Sequence, residues 1–133
     1  MEQTAEYLNS LTNQIIGAAI DVHRMLGCGL LESAYEACLT FELRKRGLRI
    51  ERQKPLPLTY RDVKLNCAYR MDLVVEGCVV VEVKSVSCLG RVHGAQLLSY
   101  LKAADLRVGI VLNFSVKQLT RGGIMRRVNR FPG

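Results

Sequence analysis

The stretch Val79-Val80-Val81-Glu82-Val83-Lys84-Ser85 places an acid and a base two residues apart in a run of valines. In an extended strand, residues i and i+2 share a face, so Glu82 and Lys84 point one way and Val81 and Val83 the other. Charges inside so apolar a run are costly to bury unless they are paired or bind something. The preceding run, Tyr69-Arg70-Met71-Asp72-Leu73-Val74-Val75, carries another lone acid. If the chain reverses through Glu76-Gly77-Cys78, Val75 faces Val79 and Asp72 falls directly opposite Glu82. Carboxylates opposed across two strands repel. A divalent cation between them would remove that cost, and Lys84 beside them would lower it. The same residues would also suit a half-exposed strand edge with Asp72 in a surface salt bridge.

The elements that must position these residues follow from periodicity. Leu8, Leu11, Ile15, Ala19, Val22 and Leu26 recur at helical steps, and Gly27-Cys28-Gly29 breaks the pattern. A second helix is predicted from about Leu31 to Arg46, with Leu31, Ala34, Cys38, Phe41 and Leu43 inward and Gly47 closing it. The period then becomes extended. Strands are predicted over Leu48–Gln53, Leu58–Leu65 (with a turn at Arg61-Asp62), Ala68–Val75 and Val79–Ser85. A third helix runs from about His93 to Ala104 with Leu97, Leu98, Leu101 and Ala104 as its core face, followed by an apolar strand from Arg107 to Phe114. Thr120 to Phe131 suits a short strand or a helix with a basic surface. Residues 1–133 thus read as one α/β domain, in the order α-α-β-β-β-β-α-β and a tail.

Composition narrows the function classes. The chain has 133 residues, 49% hydrophobic and 23% charged, which argues against disorder. Its longest apolar stretch, Ile15 to Ile20, is cut off by Asp21, far short of the roughly 20 residues a membrane span needs. The start, Met1 to Glu6, is acidic where a secretory leader is basic, so the expectation is a cytoplasmic protein with no membrane partner. The net charge of +7 favours polyanions, nucleic acid first. Cys28, Cys38, Cys67, Cys78 and Cys88 form no C-x-x-C pair and no zinc spacing with His23 or His93, so no function is assigned to them.

Four motifs fall in one order. Gly29-Leu30-Leu31-Glu32-Ser33-Ala34-Tyr35 has the form G-x-x-E-x-x-Y, and Tyr69-Arg70-Met71-Asp72 and Glu82-Val83-Lys84 follow. The helical His93-Gly94-Ala95-Gln96-Leu97-Leu98-Ser99-Tyr100-Leu101 comes last. From about Ile15 to Asn129 the chain resembles the GxxExxY family of the PD-(D/E)XK nuclease superfamily. The resemblance implies a restriction-endonuclease-like core, a mixed β-sheet flanked by helices. It implies Asp72 as the acid of the second motif, Glu82 and Lys84 as the D/E-x-K, Glu32 as the acid of the first core helix, and Gln96 as the glutamine of the following helix. Met71 stands where the superfamily pattern has proline, which dilutes the signature without removing the acid.

The implied chemistry is metal-dependent hydrolysis of a phosphodiester. Mg²⁺ (or Mn²⁺) takes carboxylates, waters and substrate phosphate, so Asp72, Glu82 and the backbone carbonyl of Val83 would bind it. Lys84 would orient or deprotonate water, Glu32 would complete the metal site or hold Lys84 in place, and Gln96 would contact the substrate or support the site. Tyr35 reads as a packing residue with its hydroxyl tied down and His93 as part of a helix start, while Glu32 and Glu36, one turn apart, would also suit a solvated helix face. Arg44, Lys45 and Arg46 form one basic cluster, and Arg121, Arg126, Arg127 and Arg130 lie in another; both suit phosphate contacts. Aromatics for stacking are few, with no Trp and three Phe, so backbone contact is the expected mode. The reading is a DNA nuclease, DNA being favoured over RNA, with a homodimer compatible. The alternatives are a catalytically silent nucleic-acid-binding or regulatory module of the same fold, or a protein-interaction domain.

Overall fold

A computed structural model describes residues 3–66 and 69–133. Its elements are α1 (Ala5–Leu26), α2 (Glu32–Lys45), β1 (Ile50–Pro55), β2 (Leu58–Tyr60), β3 (Val63–Leu65), β4 (Arg70–Val75), β5 (Val79–Lys84), α3 (Arg91–Ala104), β6 (Val108–Asn113) and β7 (Ile124–Val128). Cys67 and Ala68, the latter the expected start of a strand, lie outside the described residues, as do Met1 and Glu2.

Local chemistry sets the boundaries. Thr4 caps α1 by accepting the Tyr7 N–H at 3.1 Å, and Gly27, at φ +69°, ends it in a conformation that a side chain would resist. The two hairpin turns are built on residues of positive φ. Arg61 and Asp62 (+49° and +65°) join β2 to β3, and Glu76 and Gly77 (+53° and +64°) lead into β5. The expected turn at Arg61-Asp62 therefore divides one predicted strand into two. The tail supplies β7, so of strand and helix it is the strand that forms.

Five strands make one sheet in the order β1-β4-β5-β6-β7, while β2 and β3 form a ribbon of their own. Neighbours in the sheet are antiparallel except β5 and β6, which run parallel. A parallel pair needs a crossover, and α3 provides it. Alternation sorts the strand side chains onto two faces. Leu73, Val75, Val79, Val81 and Val83 pack with Leu8, Ile15, Leu39 and Leu43 of α1 and α2. Val74, Val80 and Val111 pack on the other face, against Leu97, Tyr100 and Leu101 of α3. Helices cover both faces of a mixed sheet, the α/β class expected.

The helices differ from the predicted phase. In α2, Leu31 and Phe41 are 78% and 66% exposed, and the inward stripe is Tyr35, Leu39 and Leu43 with Glu36 and Thr40 beside it. The cause is Tyr35. Its ring stacks on Phe114 at 4.5 Å, and its hydroxyl donates to the Gly27 carbonyl at 2.6 Å and accepts from the Leu30 N–H at 3.2 Å. Anchoring that ring turns the helix about one residue from the phase that apolar spacing alone suggests. In α3 the buried face includes Tyr100, while Leu98 is only half-buried. At the end of α1, Leu26 is exposed rather than inward.

Gly109 on β6 sets how closely α3 sits. A Cβ there would lie 2.6 Å from Leu97 Cδ1 and 3.1 Å from the Val80 carbonyl oxygen. Gly109→Ala is expected to destabilise the protein by about 1–3 kcal/mol through overpacking. A urea titration checks this, and an unchanged midpoint would show that α3 can withdraw freely.

Candidate active site

The β4–β5 ladder pairs Val75 with Val79, Val74 with Val80 and Leu73 with Val81. At the next step the backbones stop pairing and the side chains take over. Glu82 Oε2 accepts the Asp72 N–H at 2.8 Å, and Asp72 Oδ2 accepts the Val83 N–H at 2.8 Å. Each carboxylate thus satisfies an amide of the opposite strand. Because a strand residue sends its N–H and C=O towards the same neighbour, the Val83 carbonyl also faces the β4 edge.

The strand end after Glu82 is fixed from both sides. Lys84 pairs with Asn113 across the parallel ladder, and its carbonyl accepts from Phe114. Buried Asn113 accepts the Val86 N–H at 3.0 Å and donates to the Val86 carbonyl at 2.9 Å. Glu32 accepts the Ser85 N–H at 2.9 Å. Lys84 itself is half-buried and makes no ion pair among the described residues.

Electrostatics follow from this crowding. Glu82 is 3% exposed, and its carboxyl is pushed up to about 8, first by burial and then by the charge of Asp72; the Asp72 N–H and Lys84 act against the rise. The Asp72 carboxyl is also raised, first by burial, with the Val83 N–H and the Gln53 amide drawing it down and Glu36 adding to the rise. With both carboxyls ionised, the pair would hold more negative charge than Lys84 offsets. That imbalance is what a bound divalent cation would correct.

Glu36 is the third acid near the pair, in place of Glu32. It is buried, not on a solvated helix face, and its Oε2 binds Arg52 Nη2 at 2.9 Å. Its Oε1 accepts from Gln53 Nε2 at 2.6 Å, and the same amide reaches Asp72 Oδ1 at 3.3 Å. Among the described residues, no three His, Cys, Asp or Glu side chains gather closely enough to share a metal ion, so Glu32, Asp72 and Glu82 do not form a three-carboxylate site. Two carboxylates, a backbone carbonyl and water remain, a donor set that fits Mg²⁺.

On α3, Gln96 makes no hydrogen bond to the carboxylates among the described residues; its Nε2 donates to the Tyr100 hydroxyl at 3.2 Å. Tyr100 is raised above the usual phenol range by burial first and then by the charges of Glu82 and Asp72. His93 accepts the Gly90 N–H at 2.9 Å and so caps the helix. Glu36, Gln53, Tyr100 and Asn113 were not among the expected site residues. Tyr100 shares a helix face with Leu97 and Leu101, and Glu36 follows the anchored Tyr35, so both were within reach of periodicity. Gln53 sits at φ +50°, a backbone kink that no residue type announces.

The basic residues disperse. Arg44 donates to the Ile50 carbonyl at 3.1 Å, and Arg46 pairs with Asp21 at 2.8 Å; Lys45 is exposed beside them. Ile50 pairs with Val75, so this cluster lies at the turn end of the β4–β5 hairpin, away from Lys84. Arg126 binds Asn9 at 2.8 Å, Arg127 packs over Gly94, and Arg130 pairs with Asp105. Arg121 precedes Ile124, which pairs with Leu112 beside Val83. Its backbone thus stands at the sheet end that carries Lys84, and the Arg127 guanidinium reaches the first turn of α3, the helix that follows Lys84.

A mixed sheet covered on both faces, with an acid on one strand, an acid and a lysine on the next, and a helix crossing over to a parallel partner, defines a nuclease-like domain. A family model described as the PD-(D/E)XK nuclease superfamily matches residues 9–128, and the chain belongs to that superfamily. No curated protein and no solved structure matches it significantly. Among the described residues, no helix is long and apolar enough to cross a membrane.

The buried Glu82 has a measurable consequence. In metal-free protein its carboxyl holds a proton to a higher pH when folded than when unfolded, so folding favours the protonated form. Stability is expected to fall as pH rises from about 5 to about 8 and then to level off. Glu82→Gln should remove most of that decline in thermal melts, and equal declines in both proteins would refute the assignment.

Proposed function

We propose that this protein is a Mg²⁺-dependent nuclease of the GxxExxY type that hydrolyses phosphodiester bonds in DNA. Membership of a nuclease superfamily supports nuclease-like activity on nucleic acid. The observation that carries the finer reading is the meeting of Asp72 and Glu82 where the β4–β5 ladder ends, with Lys84 following on the same face. When bound, a divalent cation supplies a Lewis acid that acidifies water and offsets charge on the phosphate; Mn²⁺ would serve the same way. Asp72, Glu82 and the Val83 carbonyl would hold it.

The remaining roles belong to the chain's own groups. Lys84 Nζ orients the attacking water and balances charge that builds on phosphate oxygens. Glu32 acts through the backbone: by holding the Ser85 N–H it fixes the strand end from which Lys84 projects. Gln53, itself held by Glu36, orients the Asp72 carboxylate. Gln96 acts through Tyr100. Arg121 is the nominated basic residue best placed to contact a phosphate backbone, and the Arg44–Arg46 cluster and Arg126, Arg127 and Arg130 serve packing first.

The test is a cleavage assay on DNA and RNA substrates with Mg²⁺ or Mn²⁺. Wild type should cut DNA, EDTA should stop it, and Glu82→Gln and Lys84→Ala should each lower the rate by about 100-fold or more. Equal rates in all three proteins would point to a contaminant. Metal-independent binding without cleavage of any substrate would replace the nuclease with a silent binding module.

A further inference from the structure

A small cleft opens between α3 and the start of the β2–β3 ribbon. It has a volume of about 320 Å³ and is lined by Leu56, Leu58, Tyr69, Gln96, Ser99 and Tyr100 among others. That lies at the small end of the range for ligand sites and suits one planar ring better than a chain segment. The Tyr69 and Tyr100 rings meet edge to face, with centroids 6.2 Å apart and planes at 66°. Such a corner offers one aromatic face to stack on and a second ring as a wall. Leu56 and Leu58 supply apolar surface opposite.

The polar groups at this corner are few and specific. Gln96 spends one amide hydrogen on the Tyr100 hydroxyl. Its carbonyl oxygen and second N–H leave an acceptor and donor side by side, the pair that reads the edge of adenine and related bases. The Ser99 hydroxyl donates to Ala95 and keeps its oxygen as an acceptor.

Tyr100 links the cleft to the acidic pair. It packs in one cluster with Met71, which precedes Asp72, with Val80, two residues before Glu82 on the same strand, and with Val111, which pairs with Glu82. The carboxylate charges are felt at its hydroxyl. A base seated here would therefore belong to a nucleotide next to the phosphate being cut.

We propose that the Tyr69–Tyr100 cleft is a nucleobase subsite, so that the substrate is DNA with an unpaired nucleotide beside the cleaved phosphate, a single strand or a single-stranded tail. The proposal rests on the nuclease reading of Asp72, Glu82 and Lys84. It also revises the expectation of backbone contact alone: the chain has few aromatics, yet two of its tyrosines converge at this point. A base inside a duplex is stacked on its neighbours and paired, so it cannot enter the cleft without being extruded.

The experiment compares cleavage by the full chain, in Mg²⁺, of a labelled duplex with a single-stranded tail and of a blunt duplex of the same sequence. Wild type should prefer the tailed substrate by about 10-fold or more. Tyr69→Ala, a change at a half-exposed ring, should lower the tailed rate by about 5- to 100-fold, and Tyr69→Phe should restore it. An abasic analogue beside the cut should slow wild type by a similar factor and leave Tyr69→Ala unaffected. This last comparison, made on wild type first, stands even if a variant folds poorly. Equal cleavage of tailed, abasic and blunt substrates by wild type would overturn the subsite and leave the nuclease reading intact. No metal-dependent cleavage of any DNA would overturn both.

Discussion

The reciprocal bonding of Asp72 and Glu82 is the constraint on which the rest of the site depends. Two adjacent strands stop pairing through their backbones, and each acid takes over an amide left by the other. A buried amide without a partner costs about 1–3 kcal/mol, so the carboxylates fix the local separation of β4 and β5 as firmly as a ladder bond would. The separation opens one edge of β5 to solvent chemistry while its other edge remains locked in the parallel pairing with β6. The nearby groups act on this arrangement: Asn113 and Glu32 secure the strand end, and Gln53 steers the Asp72 carboxylate.

The three-layer architecture explains why the acids can be both buried and available. On the α1–α2 side the sheet is sealed by aliphatic side chains, with Val81 and Val83 alternating away from Glu82. On the α3 side the apolar layer runs from Val80 and Val111 to Tyr100 and then gives way to polar groups. Glu82 is buried and Asp72 half-buried among these layers, and burial is the first cause of the rise in both carboxyls. Burial of this kind strengthens electrostatic interactions with a charged ligand.

What could be read from the residues alone was what depends on short range. Glu82, Lys84 and Asp72 follow from period-two alternation and one tight turn, and the ladder that this turn sets runs to Leu73 and Val81, beyond which the Asp72 N–H meets the Glu82 carboxylate. The α/β class was legible for the same reason, since helix and strand periods change at marked positions; the mixed sheet was implied by the family resemblance. The phase of α2 was not, because its orientation is set by Tyr35 meeting Phe114, a contact far along the chain. Glu36 was missed with it, and Gln53 depends on a backbone kink. The basic clusters were misjudged for a topological reason. Whether a charge lies near Lys84 depends on strand order and direction, which charge spacing does not encode.

The backbone bonds of the acids limit how such a site could change through mutation. Asp72 and Glu82 each hold a backbone amide in the hairpin, so folding alone favours an acceptor at both positions, whatever chemistry the site does. Asparagine and glutamine would meet that need at little structural cost. Lys84 has no comparable bond among the described residues, and its loss would leave the hairpin intact. Of the three charged residues, the lysine is thus the one that the hairpin's own hydrogen bonds do not require.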